Sequence, residues 1–105
     1  MDIAPDGLRV AYLSKRNGST NIFIKDLEKQ GSSIQRTKRQ FVNDFSYSPD
    51  GKNICFSEQV GKERQVFQTD AEKGYVCRQF TSGAIDCNPI YSADMSQVFF
   101  SRKEK

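Results

Sequence analysis

The chain contains no histidine. That absence removes His-dependent triads, His-ligated metals and the commonest general base from consideration. Cysteine is scarce: Cys55, Cys77 and Cys87 are odd in number and lack metal-ligand spacing, so neither a disulfide framework nor a zinc site is expected. Cys77 and Cys87 become neighbours if their strands pair; free buried thiols are the expectation. No serine sits in a Gly-x-Ser-x-Gly elbow. The chain is therefore expected to be no enzyme and to hold no metal or cofactor. No apolar run approaches the roughly 18 residues of a membrane span, so no membrane insertion is expected. Met1-Asp2-Ile3-Ala4-Pro5 lacks the basic and apolar regions of a signal peptide.

What is present suits one small sheet domain over residues 1–105. Eight phenylalanines and four tyrosines supply large apolar side chains, although mean hydropathy is a polar −0.68. The net charge of +3 is mild. Its densest runs are Arg36, Lys38 and Arg39, and then Arg102, Lys103 and Lys105. These read as a solvated outer strand and a frayed tail. A nucleic-acid surface wants a larger basic face interleaved with aromatics, so no nucleic-acid partner is expected.

The most informative stretch runs from Ser48 to Ser57. Pro49 presets φ for the second position of a type I turn, Asp50 can bond back to the backbone, and Gly51 can adopt the left-handed conformation that follows. Such a turn commonly joins two antiparallel strands. Ile54 and Phe56 then alternate with Cys55 across a short strand.

Shifting the chain by 44 residues aligns it with itself without a gap. Pro5-Asp6-Gly7 falls on Pro49-Asp50-Gly51, and Asp50 on Asp94. Phe23 falls on Phe67, Asp26 on Asp70, Glu28-Lys29 on Glu72-Lys73, and Gln35 and Thr37 on Gln79 and Thr81. Tyr47-Ser48 falls on Tyr91-Ser92, and Phe56-Ser57 on Phe100-Ser101. A period of this length with several short strands points to propeller blades. The expected fold is all-β, with four antiparallel strands per blade and about two and a half repeats, near 4–47, 48–91 and an incomplete 92–105.

Four strand-like pieces recur in each unit. The first ends at the turn (44–47 and 88–91), and the second follows it (9–13, 53–57 and 97–101). The third (21–25 and 65–69) is reached through Asn17-Gly18 and Gly61-Lys62. The fourth, near 33–37 and 76–81, follows loops containing Gly31 and Gly74. Only Asp2 and Ile3 stand where the first unit's opening strand belongs, so the count is three strands, then four, then two. Met95 occupies the position of Gly7 and Gly51, which is costly at positive φ; that turn is either rebuilt or strained.

At these residues the chain resembles the TolB-type family of β-propeller repeats, distant relatives of WD repeats. The resemblance rests on Ser48 to Lys52, Ile54 to Phe56, Phe67 with Asp70, Phe80-Thr81 and Pro89-Ile90-Tyr91-Ser92. Phe45 in place of proline, tyrosine in place of tryptophan, and Ala93 and Met95 depart from the pattern. The resemblance implies a non-enzymatic protein-interaction platform with a protein or peptide partner, in the bacterial cell envelope or periplasm. A cytoplasmic location is the alternative. The other functional reading is an accessory propeller that gates a prolyl-oligopeptidase-like or tricorn-like serine peptidase.

Recurring residues are expected to be structural, since a catalytic group is normally needed once. Asp6, Asp50 and Asp94 read as turn residues, and Asp26 and Asp70 as loop caps. Asn43, Asp44, Asp86 and Asn88 differ between copies and precede or open the innermost strands. They are the candidate partner-binding residues. Two units of 44 leave 17 residues over, too few to close a ring. The expectation is either the remainder of a longer propeller or a homo-oligomer, three chains supplying about seven blades.

Overall fold

The computed structural model describes residues 1–28, 33–72 and 77–103. Gly31, Gly74 and Val76, expected in loops and at the head of a fourth strand, lie outside the described residues, as do Lys29, Lys73 and Lys105. The described chain is all-β. Its strands are β1 (Asp2–Ile3), β2 (Arg9–Arg16), β3 (Ser19–Asp26), β4 (Ile34–Gln35), β5 (Val42–Tyr47), β6 (Asn53–Val60), β7 (Glu63–Asp70), β8 (Cys77–Gln79), β9 (Ile85–Tyr91) and β10 (Val98–Lys103).

Strands β1 to β4 form one antiparallel blade in chain order, and β5 to β8 form the next. Strands β9 and β10 pair antiparallel and begin a third. The first unit thus has four strands where the sequence suggested three. Asp2 and Ile3 reach register with Ala11 and Val10, and Ala4 N donates to Arg9 O at 2.9 Å, enough to seat a two-residue strand.

The three turns share one hydrogen-bond plan. Gly7 N donates to Ala4 O, Gly51 N to Ser48 O and Met95 N to Ser92 O, each at 2.9 Å. The aspartate side chain caps each turn, with Oδ1 of Asp6, Asp50 and Asp94 accepting from the N–H of Leu8, Lys52 and Ser96 at 2.9–3.0 Å. In the third copy the Ser96 hydroxyl, the Ser96 N–H and the Ser92 hydroxyl lower the Asp94 carboxyl to about 2. Met95 has φ +63°, beside +72° at Gly7 and +73° at Gly51. The turn is kept rather than rebuilt, and Met95 carries the strain.

Between blades the same period governs backbone contacts. Thr20 N donates to Gln40 O at 2.9 Å and, 44 residues on, Arg64 N to Ala84 O at 3.2 Å. Thr37 and Thr81 place a hydroxyl 2.9 Å from the N–H groups of Ile22 and Val66, replacing a ladder carbonyl where the outermost strand ends. The asparagine and glycine of the Asn17-Gly18 hairpin both take positive φ, 53° and 81°, as a two-residue primed turn requires.

The core lies between the first two blades. Ala11, Ile22 and Ile24 pack on Val42, Ile54, Phe56, Phe67 and Ala71. Phe56 and Phe67 are opposite in register and stack with centroids 5.4 Å apart. Fully burying a ring such as Phe56 contributes about 2–3 kcal/mol. Tyr12 and Phe23 repeat the pairing one blade earlier at 6.1 Å.

Lys38 and Lys103 are solvent-exposed as expected, but the arginines of the two runs are held by specific partners. Arg39 pairs with the buried Glu58 at 2.7 Å and lies 4.5 Å over the Phe67 ring. Arg36 donates through Nη1 to Glu72 O at 2.6 Å. Arg102, expected in a frayed tail, lies in β10 and binds the buried Asp86. These guanidiniums lie against buried acids, carbonyls and rings, which outcompete water for them. All three cysteines are free. Cys77 lies opposite Thr69 and Cys87 opposite Ser101, so the two thiols are not register partners.

Candidate partner-binding rim on the inner strands

The inner strand of each blade is the one reached from the preceding repeat: β1, β5 and β9. Consecutive inner strands are joined by side chains rather than by a backbone ladder. The Asp2 carboxylate accepts from Tyr47 N at 3.0 Å, linking β1 to β5. Ser46 donates to Pro89 O at 2.8 Å, linking β5 to β9. Cys55 sits beneath, with its sulfur 3.3 Å from the same serine hydroxyl.

Asp44 and Asn88 occupy the same position of successive repeats, and the structure brings them together. Asn88 N donates to Asp44 Oδ1 at 3.1 Å, and the Ser57 hydroxyl donates to the same oxygen. Asn88 is exposed and takes φ +54°, a left-handed conformation that asparagine tolerates better than most residues. Its strand carries a register shift beside it: Ile90 lies opposite Phe99 and Cys87 opposite Ser101.

Asn43 lies at the register shift of β5, between Val42, opposite Glu58, and Asp44, opposite Ser57. Its Oδ1 is buried without a hydrogen-bond partner among the described residues. Such bulges redirect a side chain at a sheet edge. Asp86 stands apart from the other three. It is wholly buried, and its two oxygens accept from Arg102 Nε at 2.7 Å and Nη2 at 3.0 Å. The Arg102 guanidinium holds its carboxyl below the usual range against the opposing cost of burial.

Sequence reasoning singled out these four residues but missed the groups that hold them. Ser46, Ser57 and Arg102 supply those contacts. One signal was present: Glu58 and Arg102 occupy equivalent positions with opposite charge, so their partners had to differ. Among the described residues, no group of acidic and thiol side chains could hold a metal ion, and no helix is long and apolar enough to cross a membrane.

No protein-family model matches the chain. Among curated proteins it is similar to the Tol-Pal system protein TolB of Francisella tularensis subsp. tularensis (strain WY96-3418), with 31% identity over 87 residues. That match spans 79% of this chain and 20% of the relative; TolB of F. tularensis subsp. holarctica (strain OSU18) matches to the same extent. Among solved structures, a putative TolB from Agrobacterium tumefaciens superposes with a TM-score of 0.82 over 98% of this chain and 37% of its own, at 22% identity. TolB from Acinetobacter baumannii gives 0.78 over 94% of this chain and 25% of its own, at 24% identity.

The chain is a partial TolB-like β-propeller. Within that fold the residues that recur every 44 positions have structural duties: the turn aspartates cap, the threonines end the outer strands, and Asp26 and Asp70 receive Glu28 N and Glu72 N.

Proposed function

We propose that this chain is a non-enzymatic protein-interaction scaffold that binds a protein or peptide partner along the rim formed by the starts of β5 and β9. Asn43, Asp44 and Asn88 form that rim; Asp86, wholly buried against Arg102, is left out of the contact surface. The observation that carries the reading is the division of labour around the 44-residue period. The recurring turn aspartates and threonines are consumed within the blades, whereas Asn88 stands exposed and Asn43 is half-buried at the unrepeated inner edge, its amide oxygen turned inward. Asp44 fixes the backbone of Asn88, and Asp86 fixes Arg102. A rigid sheet presenting such groups can recognise an extended backbone by hydrogen bonds. The Francisella relatives are named as members of the Tol-Pal system, and the reading extends to a bacterial envelope or periplasmic setting for this chain.

The test is photo-crosslinking from position 88, with the exposed position 25, near the end of β3 and at the opposite end of the blade, as control. The captured partner is identified and purified, and its affinity for Asn43→Ala, Asp44→Ala and Asn88→Ala is measured. At least one substitution is expected to weaken binding tenfold; equal affinity for all three variants refutes the rim.

A further inference from the structure

We infer that the end of the blades from which β5 and β9 start binds an extended acidic segment of a protein partner, laid across a row of cationic and apolar side chains. The inference deepens the reading of that end as a partner-binding rim and rests on it. The row is a line of backbone neighbours that crosses the blades. Lys15 lies opposite Thr20, Thr20 bridges Phe41, and Phe41 O accepts from Gln59 N at 3.0 Å. Gln59 lies opposite Arg64, and Arg64 opposite Ile85. Each strand in the row has neighbours on both sides, β5 through the Thr20 bridge, so the row is an end of paired strands and not an unpaired edge. Lys15 and Gln59 are exposed, and Phe41, although flanked by two blades, is 46% exposed.

The positive charge at this end is available to a ligand. Lys15, Lys38 and Lys62 are exposed and make no ion pair among the described residues. The acids nearby are already answered: Glu58 by Arg39, Asp86 by Arg102, and Glu63 by Gly83 N at 2.7 Å. At the opposite end the acids Asp6, Asp26, Asp50, Asp70 and Asp94 outnumber Arg9, Lys25 and Lys52. An acidic segment is therefore drawn to the row and repelled from the turns. Spacing selects its form. Neighbouring strands lie about 4.8 Å apart, which puts Lys15 and Arg64 about 19 Å apart along the row, the span of about six extended residues. Phe41 lies between them and offers an apolar face to a side chain at the middle of such a segment. A nucleic-acid strand carries one charge per about 3.4 Å, far denser than the cations of the row.

The probe is an end-capped nonapeptide with two aspartates at each end, a phenylalanine at the centre and serines between, titrated at low salt into the isotopically labelled chain. Saturable shifts of the amides of Lys15, Phe41, Gln59 and Arg64 are expected. Replacing the peptide's aspartates by lysines should abolish them. Lys15→Glu combined with Arg64→Glu should weaken binding at least tenfold; if that variant fails to fold, Lys15→Gln with Arg64→Gln carries the test. No saturable shift, shifts centred on the turn end, or equal affinity for the lysine peptide overturns the inference. So does equal affinity for a single-stranded oligonucleotide of the same charge, which marks the row as a general anion surface. The partner captured from position 88 separates the two readings. Affinity lost in the Lys15 and Arg64 variant but kept in Asn43→Ala, Asp44→Ala and Asn88→Ala refutes the asparagine rim and leaves the row; the reverse pattern refutes the row alone.

Discussion

Asp86 and Arg102 form a two-pronged ion pair at the register position that Val42 and Glu58 hold one blade earlier. The repeat thus keeps the position and changes the chemistry. Glu58 turns instead to Arg39, on the segment between β4 and β5. Each solution satisfies a buried carboxylate with a guanidinium drawn from a different part of the chain.

Removing Arg102 leaves the buried Asp86 carboxylate without that partner. Arg102→Met should destabilise the chain by about 2 kcal/mol, less than for a wholly buried pair because the arginine side chain is half exposed. The Asp86 carboxyl is lowered in the folded state, so its stabilising contribution is full above the unfolded carboxyl range and lost as pH falls through the lowered value. Urea titrations should show the wild-type advantage at pH 7 shrinking steadily towards pH 2. An advantage independent of pH would mean that packing, not charge, accounts for it.

Met95 and Gly51 test the turn from opposite directions. Met95→Gly relieves a side chain at φ +63° but adds chain entropy to the unfolded state, for a net gain of about 0.5 kcal/mol. Gly51→Ala meets both the positive φ and Pro5 Cδ at 3.2 Å, whereas Gly7→Ala meets positive φ alone. Thermal melts should rank Gly51→Ala as the costlier, by about 1–2 kcal/mol against about 1 for Gly7→Ala.

The turns, the strand centres and the period were legible because each depends on local chemistry: proline, aspartate and glycine set a turn, and alternation sets a strand. Ion pairs were not legible. Arg39 and Arg102 looked like solvent-facing charge because nothing local reveals a buried acid 19 or 16 residues away. The inner rim was half legible. Disagreement between copies identified Asp44 and Asn88, but their mutual hydrogen bond joins two blades across 44 residues of sequence, which no local pattern reveals. Asp86, chosen by the same reasoning, lies inside because β10 places Arg102 opposite it.

Thr37 recurs as Thr81 for a reason only the fold discloses. Its hydroxyl accepts from Ile22 N at 2.9 Å and donates to Asn21 Oδ1 at 2.8 Å in a fully buried setting. Thr37→Val preserves shape and strands that N–H, at a cost of about 2 kcal/mol. Thr81→Val strands Val66 N in the same way and also removes a hydrogen bond to the buried Asp86 carboxylate, so its cost should shrink as pH falls towards 2 while that of Thr37→Val does not. Urea titrations at pH 7 and pH 3 distinguish the two; equal pH dependence would contradict the bond to Asp86.

Cys55 differs from the other thiols in a way that labelling can read directly. It is fully buried, and burial pushes its thiol pKa up against the opposing effect of hydrogen bonds to Ser46. Cys77 and Cys87 are partly exposed. Only the thiolate reacts, so the raised pKa and the lack of access both slow Cys55. At pH 8 a disulfide reagent should titrate two thiols rapidly in the folded chain and the third only on unfolding. Ser46→Ala removes the hydroxyl bonded to both the Cys55 sulfur and Pro89 O, loosening the junction of β5 with β9. Cys55 should then label faster at unchanged Cys77 and Cys87 rates. Equal acceleration of all three thiols would instead report global destabilisation.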